Sequence, residues 1–426
     1  MPLSTALAVA ISLLFLRAPL AIALMSTSIV YLSIDPQVPM LVIGQKIFAA
    51  LDSFPLMAVP FFVLVGQVMN TGGITDKIFV FANNLVGHVR GGLGHVNILS
   101  SVLMSGMSGS AVADAAGLGQ VEIKAMVKQG YDREFSAAIT AASATIGPVI
   151  PPSIPLVIYG TIAGVSVSQL LLAGLIPGLV VSVGLMVVAY ILARRRGYPV
   201  SVRASLPTIW ASFLAAFPAL LTPVILVGGI LTGVFTPTEA SAVAAFYSIF
   251  VAMAVYREMN LRRLGRVLLE TAEITGTIFL IIAGAAVMSW LFTWLNIPQI
   301  LAQFLSGNIE EQWLLLLIIN LFLLFLGCIL EVNAALILAT PLLFPLIQAA
   351  GIHPVHFGII IVCNLMIGLI TPPVGLNMYI VSSIAKISIA QFLRGIAPFA
   401  LVLVLTLLLI TYWPALSLWL PLTVFE

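Results

Sequence analysis

The chain has 426 residues, of which 61% are hydrophobic and only 8% are charged, and its formal net charge is +2. So few charged residues exclude a soluble globular protein, whose surface needs many more of them. Continuous apolar segments of spanning length, without the alternation of barrel strands, predict an all-α polytopic membrane protein embedded in the lipid bilayer.

In chain order, residues 1–73 are expected to form N-terminal scaffold helices and an interfacial arm. Residues 74–193 are expected to form the core of a first repeat, with a hairpin at 91–125 and a broken helix at 134–163. A polar Gly/Ser break interrupts the hairpin, and four prolines interrupt the broken helix. Scaffold helices with basic cytoplasmic loops follow at 194–296.

Residues 297–396 are expected to form the core of a second repeat. This core contains a hairpin at 312–350 and a broken helix at 357–385, and residues 397–426 are expected to form a C-terminal helix. Polar residues interrupt both apolar segments at positions that correspond to those of the first core. Corresponding interruptions in two halves are typical of the binding sites of secondary transporters.

The two cores are related by an internal repeat, because identical residues recur at one constant separation along the chain. The identical pairs are Gly130/Gly351, Ile139/Ile360, Ile146/Ile367, Gly147/Gly368, Pro151/Pro372 and Pro152/Pro373.

Charge placement predicts that the two repeats are inverted relative to each other. Basic residues flank the first hairpin, among them Arg90, Lys124 and Lys128, whereas no Lys or Arg flanks the second. By the positive-inside rule, the first hairpin opens to the cytoplasm and the second to the opposite side. With the N-terminus outside, the chain is expected to have ten spans, the first at residues 3–16, and two re-entrant hairpins. This arrangement places every Lys/Arg cluster from Lys77 onward in the cytoplasm.

Small and polar residues at the first hairpin tip are candidates for a binding site. They are Ser105, Gly106, Ser108, Gly109, Ser110 and Asp114. Half-helices that meet at a tip expose carbonyls, which suit a cation such as Na⁺, and N–H groups, which suit a carboxylate. Close packing of helices is the alternative explanation for so many small residues.

The second hairpin and broken helix carry their own polar cluster. Its members are Glu331, Asn333, Thr340, Asn364, Gly368, Thr371 and Asn377. Glu331 lies at membrane depth, where an ionisable group indicates function, either compensating the charge of a cation or binding a proton. The structural alternative is that it accepts hydrogen bonds from the hairpin's own N–H groups. Glu239 follows Thr236 and Pro237 in the pattern of a capping box, which predicts a structural role.

The sequence does not indicate an enzyme. It contains no phosphate-binding loop, nucleophile elbow or helical pair of metal ligands, and Cys328 and Cys363 have no metal or disulfide spacing. No nucleic-acid partner is expected either, because the three arginines at 194–196 follow a span and signal topology.

Several motifs resemble the large membrane subunit of TRAP (tripartite ATP-independent periplasmic) transporters, and the resemblance covers essentially the whole chain. The motifs are Ser108-Gly109-Ser110, Gly147-Pro148-Val149-Ile150-Pro151-Pro152-Ser153-Ile154-Pro155, Thr236-Pro237-Thr238-Glu239 and Thr371-Pro372-Pro373-Val374-Gly375. The resemblance implies an elevator-type, sodium-coupled importer of an organic acid, such as a C4-dicarboxylate or a sialic acid, in the bacterial inner membrane.

The resemblance also implies which residues bind ions and substrate, with Na⁺ as coupling ion and no organic cofactor. One sodium site would comprise Ser105, Ser108, Gly109, Ser110, Thr145 and Gly147. The other would comprise Glu331, Val332, Asn333, Asn364, Gly368 and Thr371. The residues expected to contact the substrate are Ser110, Asp114, Pro151, Ser153, Pro372 and Asn377.

Two partners are implied, a small four-helix membrane subunit and a periplasmic substrate-binding protein. Because the chain starts almost at the first helices of the large subunit, the small subunit is expected to be a separate chain. The chief alternative is a self-sufficient sodium/dicarboxylate symporter with similar hairpins, which needs no binding protein. A scaffold without a transport role is the third class.

Overall fold

The computed structural model describes residues 12–13, 18–34, 39–300 and 311–425, and these residues form helices without any strand. Within these ranges, eight helices are long and apolar enough to cross a membrane. The expected span at 3–16 lies almost entirely outside the described residues, as do residues 35–38 of the expected arm.

The N-terminal scaffold and the first repeat contain eleven α-helices in the described residues, besides a 3₁₀ helix at Phe54–Met57. They are α1 (Leu20–Ile34), α2 (Leu41–Leu51), α3 (Ala58–Thr71), α4 (Ile74–Val86), α5 (Gly92–Ser108), α6 (Ala111–Ala116), α7 (Leu118–Lys128), α8 (Arg133–Ala144), α9 (Ile154–Ala163), α10 (Val167–Ala173) and α11 (Leu175–Arg196). Helices α5 to α7 form the first hairpin, and α8 and α9 are the two halves of the first broken helix.

Three scaffold helices and the second repeat follow. They are α12 (Leu206–Leu231), α13 (Pro237–Phe250), α14 (Leu261–Trp294), α15 (Gln312–Ile329), α16 (Val332–Ala349), α17 (Pro354–Gly368), α18 (Leu376–Ala385), α19 (Ile389–Tyr412) and α20 (Ala415–Phe425). The C-terminal segment, expected as one helix over 397–426, consists of α19 and α20. Pro414 separates them, because proline disfavours helical backbone at the residue before it.

Equivalent positions of the two repeats adopt the same local structure. Gly130 and Gly351 end α7 and α16 with left-handed backbone, φ +89° and +70°. In both repeats the N–H of the next residue donates to a carbonyl of the preceding helix. Tyr131 donates to Met126 O (3.0 Å) in the first repeat, and Ile352 donates to Ile347 O (2.9 Å) in the second. Glycine adopts this conformation without strain, which explains why it occurs in both copies.

Helix α19 shows that the two hairpins open in opposite directions. Its 24 residues make it about 36 Å long at 1.5 Å per residue. Just before it begins, the Ala385 carbonyl accepts a hydrogen bond from Arg133 Nη1 (3.3 Å), at the base of the first hairpin. Near its end, Tyr412 Oη donates to the Trp313 carbonyl (3.0 Å), at the base of the second hairpin. The bases of the two hairpins therefore lie at opposite ends of α19.

The base of the first hairpin lies on the basic side of the molecule. Arg196 Nη1 lies 3.0 Å from Asp132 Oδ2, and the Tyr198 hydroxyl donates to the same oxygen at 2.5 Å. Burial raises the pKa of Tyr198 to about 12, so its hydroxyl stays protonated and keeps this hydrogen bond at physiological pH. The positive-inside rule assigns this side to the cytoplasm.

The repeats exchange contacts reciprocally. Helix α9 of the first repeat packs against α16 of the second hairpin, and α18 of the second repeat packs against α6 and α7 of the first hairpin. Such mutual packing is what a pseudo-two-fold relation between the two cores produces.

The expected capping box is confirmed. The Thr236 side chain accepts from the Glu239 N–H (3.3 Å), and Glu239 Oε2 accepts from the Thr236 N–H (2.8 Å). Glu239 therefore stabilises the start of α13, and its carboxylate is used by its own helix.

We predict that Gly368→Ala destabilises the protein. A Cβ atom at Gly368 would lie 2.3–2.6 Å from backbone atoms of Gly327, which cannot move aside as a side chain would. We expect a loss of about 2 kcal/mol from such overpacking, seen as a lower midpoint of thermal unfolding in detergent. Gly276→Ala is the matched control, since no atom lies within 4 Å of its Cβ position. Equal midpoints for the two variants would contradict the close approach.

Candidate functional site

Each hairpin changes direction at a two-residue break between helices. The second residue of the break caps the helix that follows. At the first tip, Gly109 has φ +59° and the Ser110 side chain accepts from the Ala113 N–H (3.4 Å). At the second tip, Glu331 Oε2 accepts from the Ala334 N–H (3.2 Å). Ser110 and Glu331 occupy equivalent positions of the repeat, so both copies use a side-chain acceptor to satisfy the first N–H groups.

Both tips line one cavity of about 80 Å³, which we call the tip cavity. Six of the residues that the sequence predicts as sodium ligands line it: Ser108, Gly109, Ser110, Glu331, Val332 and Asn333. Helices α3 and α14 of the scaffold close it, with Gln67 and Ile278 among their lining residues. Its volume suits a few water molecules or a partly hydrated cation, since pockets for organic ligands measure about 300–1,000 Å³.

Glu331 is the single ionisable residue among those that line the tip cavity. Its Oε1 accepts from Asn333 Nδ2 (3.0 Å), so the amide oxygen of Asn333 points elsewhere and is buried without a hydrogen-bond partner. The side chain thus accepts from its own hairpin, as one sequence alternative had it, and still lines the cavity. A carboxylate and a free amide oxygen are ligands that a hard cation prefers.

Asp114 lies behind the first tip and does not line the tip cavity. It is 2% exposed, and its Oδ1 accepts from the Ser108 hydroxyl at 2.5 Å. Its Oδ2 is buried without a partner and faces Gly147, where a Cβ would lie only 2.6 Å away. Asp114, which the sequence predicts as a substrate contact, therefore lies between the hairpin tip and the broken helix.

Asn364 has a free amide oxygen in the second broken helix. Its Nδ2 donates to Ile360 O (3.0 Å) and to Asn320 Oδ1 (2.5 Å). Because a backbone carbonyl only accepts, the atom that faces Ile360 is nitrogen, and Oδ1 remains buried without a partner. Asn320 in turn donates to Thr411 Oγ1 (3.2 Å). Asn320 thus fixes the orientation of Asn364.

The first repeat contains a corresponding link. Asn97 of α5 donates to Thr140 Oγ1 (2.7 Å) and accepts from the Ser143 hydroxyl (2.6 Å). Ser143 and Asn364 are equivalent positions of the repeat. Sequence analysis missed Asn97 and Asn320, although a buried amide within an apolar membrane helix is itself a signal of an interhelical hydrogen bond.

Asn377 joins the two repeats. Its Nδ2 donates to the Ala111 carbonyl at the first hairpin tip (3.4 Å), and its Oδ1 is buried and free. The second break is also tied to its own hairpin, since the Val374 N–H donates to Cys328 O (3.1 Å).

Other predicted ligands do not line the tip cavity. The sodium candidates outside it are Ser105, Thr145, Gly147, Asn364, Gly368 and Thr371, and the substrate candidates outside it are Asp114, Pro151, Ser153, Pro372 and Asn377. Three hydroxyls donate to carbonyls three or four residues earlier in the chain, namely Ser105 to Val102, Thr145 to Ala142 and Thr371 to Ile367. Ser153 caps α9 by accepting from the Leu156 N–H (3.2 Å).

Comparisons with known proteins cover almost the whole chain. Residues 7–416 match the family described as "Tripartite ATP-independent periplasmic transporter, DctM component". The chain is 44% identical over 411 residues to the sialic acid TRAP transporter large permease protein SiaM of Vibrio cholerae, which covers 96% of each chain. It is 42% identical over 376 residues to the C4-dicarboxylate TRAP transporter large permease protein DctM of Pseudomonas aeruginosa, which covers 88% of each.

A solved structure with the same fold is the Alcanivorax borkumensis YdaH transporter. The TM-score is 0.67 and the sequence identity 14%, over 89% of this chain and 88% of that one. At this identity the likeness concerns the fold alone. Together with the family match over residues 7–416 and the apolar spans, the sequence relatives show that the chain belongs to the DctM family of large TRAP transporter permeases, multi-pass proteins of the bacterial inner membrane.

Proposed function

We propose that this permease couples the inward movement of Na⁺ to the import of an organic acid. The observation that carries the proposal is the tip cavity, where both hairpin tips meet around Glu331 and the free amide oxygen of Asn333. No basic side chain lines it. The carbonyls at the end of α5, which reaches the cavity at Ser108, add negative partial charge there, because the last carbonyls of a helix lack intrahelical partners.

Glu331 supplies a physical reason for coupling. An anionic substrate that approaches the hairpin tips meets the like charge of this carboxylate, and the repulsion is strong in a site of low dielectric constant. A bound cation neutralises the carboxylate and removes the repulsion. An anionic substrate can therefore come close to the hairpin tips only after the cation has bound.

The names of the relatives support the class of substrate. SiaM is named for sialic acid and DctM for C4-dicarboxylates, and both substrates carry carboxylates. The family name describes a tripartite system. We therefore infer that this chain acts with a small membrane subunit and with a periplasmic binding protein that delivers the acid.

We infer that the two repeats move as one body against the scaffold, as in an elevator. The links through Asn97, Asn320 and Asn377 hold the hairpins and broken helices together. The tips meet the scaffold at Gly66, where a Cβ would lie 3.2 Å from the backbone of Ser108. A surface of small and apolar residues permits sliding, since few polar contacts have to break.

We predict that Glu331→Gln raises the sodium concentration for half-maximal stimulation of uptake by about tenfold or more, because the variant lacks the charge that attracts the cation. Since the same charge repels the substrate, uptake without sodium should also rise above that of the wild type. Uptake of labelled succinate and N-acetylneuraminate would be measured in proteoliposomes, with the chain alone and with both partners. Glu239→Gln is the control, since glutamine also completes a capping box. Uptake by the wild-type complex that does not depend on sodium would contradict sodium coupling. Sodium-driven uptake by the chain alone would contradict the need for partners.

We also predict that Asn320→Leu raises the half-saturating sodium concentration about three- to tenfold, the effect of losing one hydrogen bond that orients Asn364. Asn320→Asp keeps the oxygen that accepts from Asn364 and should restore most of the affinity. If both variants bind sodium like the wild type, Asn364 is not a sodium ligand. If both lose affinity equally, the hydrogen bond is not the cause.

A further inference from the structure

A second cavity, of about 610 Å³, lies between the scaffold and the repeats. Helices α2 and α14 of the scaffold form one wall, and α9 and α16 of the repeats form the other. We call it the outer cavity and define it by Lys46, Asp52, Thr161, Ser289, Trp290 and Ile337.

The outer cavity lies next to the tip cavity along two helices that line both. The tip cavity touches α14 at Ile278 and α16 at Asn333, and the outer cavity touches the same helices at Ile282 and Ile337. Each step is four residues, or about 6 Å along a helix axis. Helix α16 runs from the second tip to the base of its hairpin, away from the basic side. The outer cavity therefore lies on the extracytoplasmic side of the hairpin tips.

The size and chemistry of the outer cavity suit a small carboxylate. Its 610 Å³ lies within the range of about 300–1,000 Å³ of ligand pockets, whereas the tip cavity is too small. Lys46 is half-buried at its wall, and Asp52 is exposed. The ion pairs among the described residues are Lys77–Glu258 and Arg196–Asp132, so Lys46 is in neither. Its ammonium is available to an anion.

We propose that the outer cavity binds the organic acid as it arrives from the extracytoplasmic side, with the Lys46 ammonium holding its carboxylate. This inference rests on the proposed import of an organic acid. Trp290, Ile282 and Ile337 supply the apolar wall, and Ser289 supplies a hydroxyl at the side of α14 that faces the cavity. Most ligand pockets have this composition, an apolar lining with a few polar groups that fix orientation.

Protection of an introduced cysteine tests binding directly. Ser289→Cys would be labelled with a membrane-impermeant maleimide in proteoliposomes that contain this chain and its small subunit. The native Cys328 and Cys363 are buried, so the new thiol is the one exposed to label. The probes are free succinate and free N-acetylneuraminate, without binding protein. We expect one of them to slow labelling, and Lys46→Gln in the same background to abolish that protection.

Transport supplies the second measurement, in the complete complex with binding protein. We expect Lys46→Gln to raise the KM for the transported acid about tenfold, the loss of one charge-assisted hydrogen bond, with the half-saturating sodium concentration unchanged. Lys46→Arg should restore most of the affinity. Arg203→Gln, a loss of charge at an exposed residue that does not line the cavity, is the matched control.

The two proposals fail in different ways. Sodium-driven uptake by the wild type, together with labelling that neither acid slows, overturns the outer cavity as a substrate site and leaves a lipid as its occupant. An unchanged KM for Lys46→Gln overturns the role of Lys46. Labelling that an acid slows, together with uptake that ignores sodium, supports the outer cavity and contradicts sodium coupling instead.

Discussion

The structure depends on one constraint, the need to satisfy backbone N–H and C=O groups where helices break at membrane depth. No bulk water is available there, and an unpaired group costs several kcal/mol. Ser110, Ser153 and Glu331 solve half of the problem, because each accepts a hydrogen bond from the first turn of the helix that follows it. The side chains at the breaks are therefore determined first by the backbone.

The other half of the problem concerns acceptors. Caps satisfy N–H groups but not carbonyls, and Cys328 O near the end of α15 is satisfied by the Val374 N–H instead. The amides of Asn333, Asn364 and Asn377 add oxygens that are buried without partners, and Asn333 lines the tip cavity. A region rich in free acceptors and poor in donors is electronegative. This imbalance is the physical basis for proposing a cation there, and it arises from the way in which the hairpins end.

Buried asparagines connect the interrupted segments to the hairpins around this region. Asn97 and Asn320 fasten the first half of each broken helix to the first arm of its hairpin, and Asn377 fastens the second repeat to the tip of the first. In an apolar interior these hydrogen bonds fix the orientation of the groups they join, since the alternative is an unsatisfied amide.

The sequence by itself determined the membrane class, the internal repeat, the places where helices break and the capping box at Thr236, because apolar length, proline and residue spacing act locally. Tertiary structure decided that both tips share one cavity, that Asp114 faces Gly147, and that Asn320 orients Asn364. It also decided that the hydroxyls of Ser105, Thr145 and Thr371 donate to carbonyls three or four residues earlier in the chain. These outcomes depend on the packing of segments far apart in the chain, which no local pattern records.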